Sequence, residues 1–465
     1  MSIIHLSVGL RAMLCSVNQG QPDRDGWQLC KFVARTVAQG TGVRVMDCND
    51  ISELERLRTL HATTVLSNEQ VLFILNTSSG LAPYTHEFVP GKQDSQILSG
   101  FISALSSFMG EMTGRTASQW KTIFGHDATM IVENGVWATG VLAVSRDTTE
   151  LRSKLRMVVR EFEEAFYHLR DADEFHGSVL VEFDGYVRRV FTSDRISERT
   201  LILNVSRDPV QFAKMTPSQK FKITKFLKQV RDWQTVGEAA EEQGLALDET
   251  IELVSAAYWS GAVYLLHIPS DSDILMPSAE SLSILLSPDN PTGISEDTLR
   301  VVGSLDGRTP LGDLMDRLDI SDNEAVLFEL GYLLNRGLVE RLSLEGKFSL
   351  VAECVATQVF RQMIDLVGLE KALIEYKSIV SENVTRCPWI SFLRVLPDGE
   401  VRYERFPTLS PTDIDRLTDA LETLSKSFSE RAAELVGRNS ASEMLRNTRK
   451  TCETRFESLL TNVVM

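Results

Sequence analysis

The chain has 465 residues, 43% of them hydrophobic, and carries a formal net charge of −16. That length suits about two to four domains, each with its own core, and the charge disfavours nucleic acid and anionic membranes unless a local basic patch overrides it. No run of about 18 uncharged apolar residues occurs, and "MSIIHLSVGLRAMLCSV" reads as a strand rather than a signal peptide, so a soluble, cytoplasmic protein is expected. Cys15, Cys30, Cys48, Cys354, Cys387 and Cys452 are scattered without a C-x-x-C pair, a pattern that predicts buried free thiols in a reducing compartment.

Residues 1–68 read as a small α/β unit in which strand and helix patterns alternate. Residues 69–210 hold the most informative pattern. "QVLFILNTSSGLAPYTHEF" suggests two strands about a Ser-Ser-Gly turn, and a helix follows over Ser95–Met112. "TIFGHDATMIVENGVWATGVLAVS" gives three short strands, broken at His126-Asp127 and at Asn134-Gly135, the latter a strong hairpin dipeptide. "TTELRSKLRMVVREFEEAFYHL" closes the module as a helix with one apolar face, so the order is β-β-α-β-β-β-α. "GSVLVEFDGYVRRVF" predicts an extra hairpin about Asp184-Gly185.

Residues 216–268 and 294–345 then share one design: three short helices, a glycine and a strand, the winged-helix pattern. Between them, residues 269–293 are rich in Pro and Ser and read as a linker with a short strand at its centre. Residues 350–465 read as mainly helical, interrupted by a hairpin at "LPDGE". The fold class expected is thus multidomain α+β.

The stretch "EFVPGKQDSQILSGFISALSSFMGEM" raises the question of a phosphate loop opening onto a helix. A Walker loop needs G-x-x-x-x-G-K-[ST]. Here Lys92 follows Gly91, but His86 stands at the first glycine position and Gln93 where Ser or Thr would hold magnesium. Pro90-Gly91 is better read as a turn, with Asp94 or Ser95 capping the helix. Ile97, Leu98, Phe101, Ile102, Leu105, Phe108 and Met109 form its core stripe, while Ser99, Gly100, Ser103, Ala104, Ser106 and Ser107 make a small opposite face. Gly and Ser are poorer helix formers than Ala, and small residues permit close approach of another element. A partner protein, another domain of this chain, or plain solvent would each account for that face.

The segment from about Val71 to Ala172 resembles the longin and roadblock group of small α/β modules in strand order, in the loop and helix "HEFVPGKQDSQILSGFISALSSF", and in the charged helix after the fifth strand. The resemblance covers about a fifth of the chain. It implies a non-enzymatic platform that assembles with other proteins, small GTPases and trafficking or motility regulators among them. It brings no catalytic motif. Ser99, Gly100, Ser103, Ala104 and Ser107 are then the first partner-binding candidates, on the strength of the small face.

A DNA-reading winged helix would present basic or amide side chains on its third helix. Instead "LDETIELVSAAYWSG" carries Asp248, Glu249 and Glu252, and "SDNEAVLFELGYLLNRG" carries Asp322, Glu324 and Glu329. The one basic element is Lys220, Lys222, Lys225, Lys228 and Arg231, interleaved with Phe221, Ile223, Phe226, Leu227 and Val230. A solvated face is its simplest reading, with an acidic partner, phospholipid or phosphate backbone as alternatives. The seven histidines show no metal-ligand spacing, no nucleophile elbow or kinase signature occurs, and Glu163-Glu164 and Glu241-Glu242 read as solvated pairs. No cofactor, metal or catalytic residue is expected. The sequence thus favours a non-enzymatic scaffold or regulatory protein binding other proteins, in homo- or hetero-oligomers. A transcription regulator using the winged helices with an N-terminal sensor is the alternative.

Overall fold

The computed structural model describes residues 68–77, 82–88, 119–124, 128–170, 180–203, 217–231, 233–279, 281, 285, 293–404 and 411–456. It is a mixed α/β protein with twelve helices and small antiparallel sheets among those residues. The N-terminal α/β unit, the helix expected over Ser95–Met112 and the His126-Asp127 break lie outside them.

Five strands, β1 (Glu69–Asn76), β2 (Tyr84–Glu87), β3 (Gln119–Phe124), β4 (Ala128–Asn134) and β5 (Ala138–Val144), form one antiparallel sheet in the order β2-β1-β5-β4-β3. Val71 to Leu75 of β1 and all of β5 are buried. Burial on both faces explains why "VLFIL" is a continuous apolar run rather than an alternating one. On one face, Leu72, Ile74, Ile131 and Leu142 pack with Leu151, Leu155, Val158 and Phe162 of α1 (Thr149–Ala165). Val71, Phe73, Met130, Val132 and Val141 form a separate buried cluster on the other face. The Asn134-Gly135 hairpin occurs where expected, with Asn134 opposite Thr139.

The hairpin expected about Asp184-Gly185 is instead a helix, α2 (Val181–Phe191). Its apolar residues also fit a helical stripe: Phe183, Val187, Val190 and Phe191 are buried in the core that contains α1. Valine and phenylalanine suit a pleated surface, but here the tertiary packing of that stripe overrides their strand preference.

Next comes β6 (Leu201–Leu203), the centre of a three-stranded sheet with β7 (Gln234–Thr235) and β8 (Tyr264–Leu266). Helices α3 (Pro217–Leu227), α4 (Val236–Gln243) and α5 (Leu247–Trp259) pack with it around Ile202, Ile223, Phe226, Val236, Val254 and Ala257. The second unit repeats the order with α6 (Glu296–Ser304), α7 (Leu311–Arg317) and α8 (Asn323–Asn335), then β10 (Val339–Arg341), which pairs with β9 (Leu275–Pro277). The segment read as a linker therefore supplies a strand, and its Ile274, Leu275 and Met276 are buried.

The two third helices end alike. Gly261 (φ 72°) and Gly337 (φ 64°) take the left-handed conformation. The following N–H groups of Ala262 and Leu338 donate back to Ala257 O and Leu333 O, each at 2.9 Å. That six-to-one bond satisfies orphan carbonyls and turns the chain into the strand.

The C-terminal region is helical with one hairpin, as expected. Four helices, α9 (Leu344–Val367), α10 (Leu369–Asn383), α11 (Pro411–Val436) and α12 (Arg438–Arg455), surround β11 (Leu393–Val395) and β12 (Val401–Tyr403). Phe360, Phe428, Leu424 and Ile390 share this core with Ile274, Met276 and Leu342. One expectation fails here. Cys354 on α9 and Cys452 on α12 form a disulfide, with Cα atoms 5.9 Å apart across a sequence separation of 98 residues, while Cys387 is free. The other three cysteines lie outside the described residues.

Two outcomes follow from this packing. Gly140→Ala would place a Cβ 2.4 Å from Val159 Cγ2 and 2.8 Å from Leu155 Cδ1. It should destabilise the chain by about 1–3 kcal/mol in chemical unfolding. Cys452→Ser should cost about 2–5 kcal/mol, read without reductant as a lower unfolding midpoint that reduction of wild type reproduces and Cys387→Ser does not.

Candidate functional site

Charged side chains from five parts of the chain meet in one buried junction. Arg195, in a short 3₁₀ turn after α2, pairs with Glu69 of β1 and, at 3.0 Å, with Glu150 of α1. Lys154 of α1 bridges Glu150 at 3.1 Å and Asp194 at 2.9 Å. Glu340 of β10 accepts the Glu150 N–H at 3.1 Å, in the first turn of α1. Glu345, at the start of α9, accepts from Ser153 Oγ and pairs with Arg156.

The cations decide the protonation states. Burial alone would raise the Glu150 pKa, but Arg195, Lys154 and Arg341 hold it far below the usual carboxylate range. Burial likewise works against the Arg195 charge, and Glu150, Glu69 and Asp194 outweigh it, keeping its pKa above normal. Burial, with the Glu150 charge beside it, pushes the Glu340 pKa up to about 8 although the Glu150 and Thr149 N–H groups oppose this.

A second polar hub joins β2, α2 and α5. Asp184 of α2 accepts from Tyr84 Oη of β2 at 2.8 Å and from Trp259 Nε1 of α5 at 3.1 Å. His86 of β2 stacks on the same Trp259, ring centroids 3.4 Å apart. Asp184, expected in a hairpin turn, thus fastens the five-stranded sheet to the first helical unit.

The expected site residues divide in three ways. Ser99, Gly100, Ser103, Ala104 and Ser107 lie outside the described residues. The basic group is present: Lys222, Lys225 and Lys228 are exposed and Lys220 half-buried, with no ion pair among the described residues. Arg231 is already matched by Glu242, which also accepts from Gln234 Nε2 at 2.8 Å. Ile223, Phe226, Leu227 and Val230 are buried, but Phe221 is 71% exposed, so an aromatic ring stands among these lysines. The acidic pairs are unlike each other. Glu241 and Glu242 are exposed, whereas Glu163 accepts the N–H groups of Trp137 and Ala138 at 2.5 and 2.7 Å and so braces the β4–β5 loop.

Among the described residues no group of three or more His, Cys, Asp and Glu could hold a metal ion, and no helix is long and apolar enough to cross a membrane. The third helices are committed to packing and ion pairs. Glu252 of α5 pairs with Arg188 and Glu324 of α8 with Arg199. Asp322 caps α8, and the buried Glu329 accepts from Ser295 N and Oγ at 2.8 and 2.7 Å.

No protein-family profile matches the chain, and no curated protein matches it at significant similarity.

The Glu340 pKa yields a pH prediction. Its folded value lies above its unfolded value, so its contribution to stability is complete below about pH 4.5 and is lost as pH rises through about 8. Glu340→Gln keeps the acceptor for the Glu150 N–H and cannot ionise. Its thermal midpoint should match wild type near pH 5 and exceed it increasingly towards about pH 9, measured by calorimetry across that range.

Proposed function

We propose that the chain is a non-enzymatic scaffold or regulatory protein that binds other proteins. The two helical units act as winged-helix-like interaction modules. The five-stranded sheet module is the longin-like platform, and its partner class is a small GTPase or a subunit of a trafficking or motility complex. The observation that carries protein binding over DNA reading is the charge of the third helices. Asp248, Glu249 and Glu252 of α5 and Asp322 and Glu324 of α8 are exposed carboxylates, which phosphates would repel, and three of the five are already engaged as ion pairs or a cap. The strand order and the closing helix of the sheet support the platform reading.

Within this reading α3 is a contact surface for an acidic protein partner. Phe221 supplies exposed apolar area, and Lys222, Lys225 and Lys228 supply complementary charge. A cytoplasmic location also belongs to the reading. The Cys354–Cys452 bond argues against that location unless the compartment sustains protein disulfides.

The test combines affinity capture from native lysate with binding of the purified partner. A protein should be recovered whose retention survives nuclease. Phe221→Asp, checked for native circular dichroism, should weaken that purified protein's binding by about thirty-fold, the scale of an aromatic anchor. If the protein is a GTPase, its two nucleotide-loaded forms should differ in affinity. Ala104→Arg tests the small-residue face separately. Nuclease-sensitive capture with affinity falling steeply in salt would instead put the transcription-regulator reading first.

A further inference from the structure

The last described helix is lightly seated. Of its 18 residues α12 buries Ala441, Thr448 and Cys452, with Met444 and Leu445 half-buried, and Phe456, which follows it, is buried as well. These positions make one narrow stripe, and most of a helix's stability in a protein comes from such a packed face. The packing there is incomplete. Val359 and Met363 of α9 and Ala432 of α11 line a void of about 10 Å³ together with Met444 and Leu445. Thr448 Oγ1 accepts from Gln362 Nε2 at 3.1 Å, the one hydrogen bond from α12 to another helix among the described residues. The Cys354–Cys452 bond is thus the strongest single tie between α12 and α9.

Its two cysteines differ in access. Cys452 is fully buried, whereas Cys354 is half-buried and lines a cavity of about 130 Å³ with Glu353, Thr357, Arg361, Val401 and Arg455. A water needs about 10–15 Å³ on the same measure, so the thiol end of a small molecule fits. Gly437 (φ 87°) is the single residue between α11 and α12, and nothing stands within 4 Å of where its Cβ would lie. One unhindered glycine therefore lets α12 turn while α11 stays in place.

We propose that Cys354–Cys452 is a thiol-operated latch. Its reduction through Cys354 frees α12 from α9 and α11, and its re-formation seats the helix again. A reductant thiolate attacks Cys354 Sγ, a new S–S bond forms there, and Cys452 departs as the thiolate. A second reductant thiolate attacks the reductant sulfur of that mixed disulfide, which releases Cys354 and leaves the two reductant molecules joined as a disulfide. Two electrons pass to the protein, and each freed cysteine takes up one proton. Opening uncovers Val359, Met363 and Ala432, apolar side chains at most 5% exposed while the latch is shut. Disulfides inside reducing compartments are mostly transient and catalytic or redox-sensing, so a latch accommodates both the bond and a cytoplasmic location.

The test is hydrogen exchange of the full-length chain, read by mass spectrometry before and after treatment with reduced glutathione. Accessible free thiols are first alkylated under native conditions. Amides of residues 438–455 should exchange at least about ten-fold faster after reduction, while those of α9 and α11 keep their protection. Oxidised glutathione should restore the slow rates. Cys452→Ser should show the fast pattern without reductant, and Cys387→Ser should behave as wild type. With one equivalent of glutathione and an acid quench, the mixed disulfide should be found on Cys354; finding it on Cys452 instead overturns the proposed route. A bond that glutathione opens only in the unfolded chain overturns the latch. So does acceleration spread evenly over all the C-terminal helices of reduced wild type, a result that is read whether or not Cys452→Ser folds.

Discussion

The described architecture turns on one arginine. Arg195 holds Glu69 and Glu150 at once, and through Glu150 it reaches Lys154, Asp194 and the N–H that Glu340 accepts. A buried ion pair adds little to stability against a well-packed apolar substitute, yet removing one member leaves a charge stranded, at about 3–5 kcal/mol. The arrangement is therefore intolerant of partial change. It also fixes geometry: β1, α1, the Arg195 turn and β10 can satisfy these charges only in one mutual placement.

Apolar packing supplies the complementary term. The core around Phe360 and Phe428 continues into Ile274 and Met276, so the second helical unit and the C-terminal helices share an interior. The first helical unit is joined differently, through Trp259, which packs in the core of the sheet and α1 while its indole N–H meets Asp184. An indole in that position adds aromatic area and a directed bond together. The sheet, both helical units and the C-terminal helices thus contact one another through specific side chains, as suits a chain whose proposed work is to hold partners in fixed relation.

Much of this order was legible because it is local. The Asn134-Gly135 hairpin, the glycine endings of α5 and α8, and the Pro-Asp-Gly turn between β11 and β12 depend on neighbouring residues and their φ preferences. The strand run "VLFIL" and the apolar face of α1 likewise declare themselves by period. The failures are non-local. Residues 181–191 carry a pattern compatible with either element, and only the presence of α1 and Trp259 decides for helix. Glu150 meets Glu340 across 190 positions, and Cys354 meets Cys452 across 98. Charge and thiol types alone do not encode such pairings. Phe221 gains significance only by staying outside the core that takes its neighbours Ile223 and Phe226.

The Cys354–Cys452 bond makes a covalent ring of everything between its ends, α10, the β11–β12 hairpin and α11 included. A backbone cut anywhere inside that ring releases no fragment while the bond stands. A chain nicked there would migrate as one species until reduced. Damage to the C-terminal helices would then stay attached to the protein, and the helices would keep one another at high local concentration after the main chain is broken.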